Sequence, residues 1–194
     1  MSRSGHGVTV IDFFNHDKAR EQSAQQYAEG KQFLLDNGVK LIDSDLVTLD
    51  LSVFDEVNRV TCFHVLEHFH HSPIPLFKSI KSTLKPNGAC LIGVPNSVNL
   101  LKRVKVLFGY TNYPSYGDYA LSNHFTGHVR EYSMSDLRQM ASLVGFNEAE
   151  IFGRNYFGSL YERFGENRVT KVAGRALRFF PGLSGSLFLR YTRD

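Results

Sequence analysis

Four histidines crowd one short stretch, His64, His68, His70 and His71 in HVLEHFHH, with Glu67 between the first two. An imidazole titrates near neutrality and can take a proton from a hydroxyl at physiological pH, which is general-base chemistry. The same histidines raise the question of a metal. Adjacent His70 and His71 in a turn cannot readily close on one ion with His64, and carboxylate partners at a consistent spacing are lacking. No metal-ligand spacing of Cys and His appears elsewhere, so no metal is expected. A second group of candidates is acidic: Asp12, Asp43 and Asp45. A carboxylate accepts two hydroxyl hydrogens at once, which suits binding; the same residues also serve as strand-end caps and turn-formers. Cys62 and Cys90 sit inside apolar runs and read as buried, reduced thiols.

These groups need elements to hold them. VTVIDFF, from Val8 to Phe14, is β-branched and apolar and reads as a buried strand ending near Asp12. Helical spacing follows from Asn15 to about Leu35, with Asn37-Gly38 as its stop. Val39 to Ile42 begin a second strand before Asp43-Ser44-Asp45, and Glu56 to Phe63 form a third. All three acids therefore stand at the carboxyl ends of strands, the edge where open α/β sheets bind ligands. Ser72 and Pro73 open a helix carrying Leu76, Phe77, Ile80 and Leu84, which Lys85-Pro86-Asn87-Gly88 closes. Ala89 to Val94 form the next strand, ending in Pro95-Asn96. Residues 97–127 read as an insertion rich in Tyr, Asn, Ser and Gly, with a helix near Leu100 to Phe108. Ser133 and Asp136 make a capping-box start for a helix that Gly145 ends. Glu148 to Gly153 and Ser186 to Tyr191 supply two more strands. Alternating strands and helices predict an α/β, doubly wound parallel sheet.

Length and balance fit one globular domain: 194 residues, 42% hydrophobic, 21% charged. The longest apolar runs, GACLIGV and SLFLRY, are too short for a membrane span, and no basic start followed by an apolar block opens the chain. A cytoplasmic location is the default expectation. Residues 163–193 carry Arg163, Arg168, Lys171, Arg175, Arg178, Arg190 and Arg193 against Glu166. Such a segment is either a solvated helix face or a surface for a peripheral membrane or anionic-lipid contact, a nucleotide-sugar or nucleic acid. No nucleic-acid reading module accompanies it, and no nucleic-acid partner is expected.

FDEV leading into a strand, VLEH, LKPNG, an apolar strand ending in VPN, then HVREYSMSDL and VGF follow one another in order. This succession resembles class I S-adenosylmethionine-dependent methyltransferases of the Methyltransferase-11/23 type, and SLFLRYTRD resembles that family's last strand. The resemblance implies an α/β, Rossmann-like class I methyltransferase sheet with helices on both faces, over a single domain of residues 1–194. It implies S-adenosyl-L-methionine as cofactor, with Asp12 on the ribose hydroxyls and Phe13 beside it. Asp45, with Asp43 competing, would hold the adenine amino group, and Leu46 would lie next to the ring. Phe63 and His64 would run beside the cofactor's methionine moiety. Glu67 and His68 would lie at the substrate pocket, with His68 as the base, although close positioning alone can also drive methyl transfer. Asn96, His128 and Arg130 would line the acceptor site, Arg130 either binding a substrate carboxylate or phosphate or forming an ion pair with Glu131 or a neighbour. The insertion 97–127 would cover that site, and residues 154–185 would form a basic helical segment before the last strand. The expected acceptor is a small molecule, sugar or lipid-linked saccharide methylated on oxygen. Tyr110, Tyr113, Tyr116 and Tyr119 either stack on sugar rings or cover the core. Oligomeric state is not set by these motifs.

One family feature is missing. The first strand and its Asp/Glu-x-Gly-x-Gly-x-Gly loop, where the backbone approaches the cofactor, have no counterpart; Gly5-His6-Gly7 precedes a strand instead of following one. SGHGVTVID matches the turn into the family's second strand, so the domain is expected to be N-terminally incomplete, with neighbouring strands left unpaired along one edge. This predicts poor binding of S-adenosylmethionine by the 194-residue chain. The alternative takes VTVIDFF as the first strand, with Phe13, Phe14 and Asn15 where glycines belong, and yields a catalytically inactive binding or scaffold module.

Overall fold

The computed structural model describes residues 7–12, 21–46, 48–49, 51, 54–121, 127–155, 165, 168–176 and 179–194, and the side chains of 21–27, 118, 173 and 174 lie outside that description. The chain divides into two compact units, residues 1–50 and 51–194.

In the first unit, β1 (Thr9–Asp12) and β2 (Lys40–Asp43) pair in parallel, joined by α1 (Glu21–Asp36). The helix stops where Asn37-Gly38 predicted. Gly38 takes φ +73°, a left-handed conformation open to glycine at little steric cost, and its N–H donates to Leu35. The register places Asp12 opposite Asp43, so two carboxylates leave the same edge side by side.

The second unit is built on a four-stranded sheet in the order β3 (Val57–Phe63), β4 (Leu84–Pro95), β6 (Ser186–Thr192), β5 (Glu150–Arg154). β3 and β4 are parallel, whereas β6 runs antiparallel to both its neighbours, so the sheet is mixed and not wholly parallel as expected. Among the described residues β1 pairs only with β2, and β3 only with β4.

Two helices cover one face of this sheet: α2 (Ile74–Thr83), through Leu76, Phe77 and Ile80, and α5 (Met134–Val144), through Leu137, Met140, Ala141 and Val144. They meet alternate residues of the strands, Cys90, Ile92, Val94, Leu187, Leu189 and Tyr191, all buried. Phe146 stacks on Tyr191 at 4.3 Å and meets the edge of Phe77. Each fully buried large apolar side chain contributes about 1.5–3 kcal/mol, so this layer dominates the stability of the unit. On the opposite face Phe188 stacks on Phe152 and packs edge-on to Phe63.

Within the insertion the expected helix is present as α3 (Leu100–Leu107), its Asn99 side chain capping the N–H of Lys102, and α4 (Tyr116–Ala120) follows. Within the basic segment α6 covers Arg168–Ala176. α2 ends at Thr83, as Lys85-Pro86-Asn87-Gly88 predicted, and these residues form a left-handed bulge within β4: Asn87 takes φ 60°, pairing with β3 skips from Leu84 to Ala89, the Asn87 N–H donates to Arg193 and Gly88 accepts from Arg193. Among the described residues no helix is long and apolar enough to cross a membrane.

Candidate active site at the carboxyl ends of β3 and β4

At the end of β3 the chain turns sharply. His64 takes φ 53°, a left-handed conformation that is uncommon outside glycine, while its N–H still donates to Gly93 of β4. A single 3-10 turn, Leu66–His68, follows. The kink carries Glu67 inward and His68 outward: Glu67 is fully buried and His68 is exposed.

The segment that meets this turn comes from far along the chain. Val129 and Arg130 both donate backbone N–H groups to the Glu67 carbonyl, at 2.6 and 3.2 Å, and the Tyr132 hydroxyl donates to Leu66. Tyr132 also bonds through its backbone to Pro95 and Ser97, just past β4. These bonds bring His128 to the cluster. Its ring meets that of His68 edge-on at 5.1 Å, and its Nε2 lies 4.0 Å from Glu67 Oε1.

Glu67 Oε1 accepts a hydrogen bond from His64 Nδ1 at 3.0 Å, whereas Oε2 is buried with no hydrogen-bond partner among the described residues. His128 Nδ1 donates to Glu131 Oε1 at 3.0 Å, and Glu131 is further held by Lys102 of α3. Burial lowers the His128 pKa below its ordinary value; Glu67 opposes that shift, and His68, Lys102 and His64 reinforce it. Burial, reinforced by Lys105, brings the Lys102 ammonium down to about 8. Cys62 and Cys90, by contrast, are buried thiols pushed up to about 12 and about 11, inert as expected.

The structure thus assembles His64, Glu67, His68 and His128, while other predicted site residues fare differently. Asn96 does not face an open acceptor site. It is fully buried, its amide donates to Gly182 and Ser184, and its Oδ1 accepts from Val98, which fixes the chain leaving β4. Arg130 pairs at 3.0 Å with Asp136, not with Glu131, and lies over the Tyr132 ring. Phe63 stays partly exposed at the strand end. Asp12 and Asp45 are exposed and Leu46 half-buried, all within the first unit, and Phe13 lies outside the described residues. Tyr110, Tyr113, Tyr116 and Tyr119 are all more than 60% exposed, so they do not cover the core. Lys102 went unread in the sequence, and Glu131 was read only as a partner for Arg130; the histidine three residues before Glu131 was the available signal for its observed role.

A family profile described as "Methyltransferase domain" matches residues 1–150. No curated protein matches the sequence. Among solved structures, the small RNA methyltransferase HEN1 is similar with a TM-score of 0.57 at 17% identity over 97% of this chain, which spans 20% of that protein. A SAM-dependent methyltransferase from Archaeoglobus fulgidus gives 0.53 at 15% identity, covering 95% of this chain and 75% of the other. A SAM-dependent methyltransferase from Thermotoga maritima, described as a possible histamine N-methyltransferase, gives 0.57 at 14% identity, covering 96% and 73%. At these identities the solved structures establish the fold.

Proposed function

The chain belongs to the methyltransferase-domain family, and on that premise we propose that it transfers a methyl group to a hydroxyl oxygen of a small molecule, sugar or lipid-linked saccharide. S-adenosyl-L-methionine is the family's methyl donor, and when bound it supplies an electrophilic methyl on a sulfonium. The exposed carboxylates Asp12 and Asp43, with Asp45 just beyond, fit the hydroxyl and amino groups of its nucleoside. The methionine end is not fitted: none of the described glycines follows a strand and opens a helix. The fit therefore covers half of the cofactor.

The observation that carries the oxygen acceptor is His68. It is an exposed imidazole at the carboxyl edge of the sheet, beside a buried carboxylate and a second imidazole. A hydroxyl must lose its proton as the new carbon–oxygen bond forms, and an imidazole in this position can accept it. The four exposed tyrosines 110, 113, 116 and 119 support a saccharide, whose apolar ring faces stack on aromatic rings. α6, with Arg168, Lys171 and Arg175 beside exposed Val169 and Val172, supports contact with an anionic lipid surface.

The test is transfer of radiolabelled methyl from S-adenosylmethionine to phenols, sugars, lipid-linked saccharides and short RNAs. Label is expected in a hydroxylated small acceptor. His68→Ala should slow transfer by about 10²-fold with little change in acceptor KM. Label in RNA only would move the acceptor to nucleic acid. A second reading, an inactive binding or scaffold module, is favoured by the unfitted methionine end; silence with every acceptor, also after a strand and glycine-rich segment is supplied upstream, would establish it.

A further inference from the structure

We propose that Glu67, His68 and His128 form a binding site for one first-row divalent transition-metal cation. One carboxylate oxygen of Glu67 and one ring nitrogen from each histidine lie within 4.8 Å of one another. Two imidazoles and a carboxylate match the preferences of zinc, cobalt, nickel and iron, whereas magnesium and calcium favour all-oxygen sites. Three protein ligands also leave coordination positions open, the pattern of catalytic sites.

Two independent observations point to a ligand here. Glu67 is fully buried, and its Oε2 has no hydrogen-bond partner among the described residues, an arrangement that buried carboxylates rarely sustain without a cation. His128 is oriented as a metal ligand is: Nδ1 donates to the Glu131 carboxylate, which fixes the tautomer and leaves the Nε2 lone pair on the side of Glu67. Glu131 is in turn held by Lys102, so the outer shell is itself anchored. Metal–nitrogen and metal–oxygen bonds of about 2.0–2.2 Å require the donor atoms to draw closer together. His68 is exposed and His128 is only half-buried, which leaves both rings room to swing inward.

The role of the cation, though not its binding, rests on the methyl-transfer reading. With the ion bound, His68 would serve as a ligand in place of its role as base. The acceptor hydroxyl would occupy an open position and release its proton to solvent water more readily there, as metal-bound water does.

The experiment titrates the metal-free 194-residue chain with Co2+, following its visible absorption bands and the heat of binding. One Co2+ per chain is expected. Glu67→Gln and His128→Gln should each weaken binding by more than about 10-fold. Glu131→Gln, a change in a positioning residue, should weaken it by about 10-fold, and His71→Ala should leave it unchanged. Circular dichroism of each metal-free variant checks folding, and the conservative Glu131→Gln retains a test if a ligand variant fails to fold. No binding, or equal binding by Glu67→Gln and His128→Gln, overturns the site. Methyl transfer that persists in chelator without Co2+ binding overturns the site and leaves the methyltransferase reading intact. Co2+ bound with no transfer to any acceptor does the reverse.

Discussion

His64 is where backbone and chemistry meet. Its left-handed φ of 53° ends β3, and its ring donates to the otherwise under-satisfied Glu67. Non-glycine residues in this conformation cost about 1–2 kcal/mol, and β-branched ones fit it worst. His64→Gly and His64→Val both remove the bond to Glu67, so the difference between them isolates the backbone. The valine variant should be less stable by about 1 kcal/mol or more in urea unfolding; equal stability would show that the turn tolerates any side chain. HVLEH announced imidazoles and a carboxylate in the sequence, but not the fold-back that brings His128 to Glu67. That approach runs through backbone bonds from Val129 and Arg130, which leave no trace in residue type. Reading ligand spacing only within the 64–71 stretch therefore hid the cluster.

Elements with a strong local code were legible. Ser133 caps α5 reciprocally with Asp136: the serine hydroxyl accepts from the Asp136 N–H, and the carboxylate accepts from the Ser133 N–H at 2.8 Å. Ser133→Ala should cost about 1 kcal/mol, measured by urea unfolding. Burial acts to raise the Asp136 pKa, but the Ser133 hydrogen bonds and the Arg130 guanidinium outweigh it and hold the carboxyl below the usual range. A depressed folded pKa stabilises above the unfolded value of about 3.9 and is lost as pH falls through the folded one. The stability gap between wild type and Asp136→Asn should accordingly be present at neutral pH and shrink in acid below about pH 4; a gap that stays constant would place the effect elsewhere. Asn87-Gly88 carries the signature of a turn and keeps it: Asn87 takes φ 60° in a bulge of β4, which its bonds to Arg193, near the other end of the chain, tie into the sheet. The antiparallel course of β6, by contrast, was hidden, since an apolar run does not encode its direction.

At the scale of the whole molecule the sequence motifs identify the family, while the proposed cofactor contacts are uneven. The carboxylates proposed for the nucleoside, Asp12 and Asp43, are register partners in the first unit, and Glu67, His68 and His128 come together within the second. Backbone amides without an intervening Cβ, which the methionine end requires, are offered by none of the described glycines. Binding energy divided in this way predicts a measurable asymmetry. The 194-residue chain should bind S-adenosylmethionine weakly in isothermal titration, and adenosine nearly as well, because the part that differs between the two ligands finds no glycine cradle among the described residues. Supplying a strand followed by a glycine-rich loop upstream of residue 1 should tighten S-adenosylmethionine much more than adenosine. Tight binding of S-adenosylmethionine by the chain as it stands, with adenosine far weaker, would mean that residues outside the glycine-loop pattern grip the methionine end, and the acids of β1 and β2 would lose their place as the main cofactor contacts.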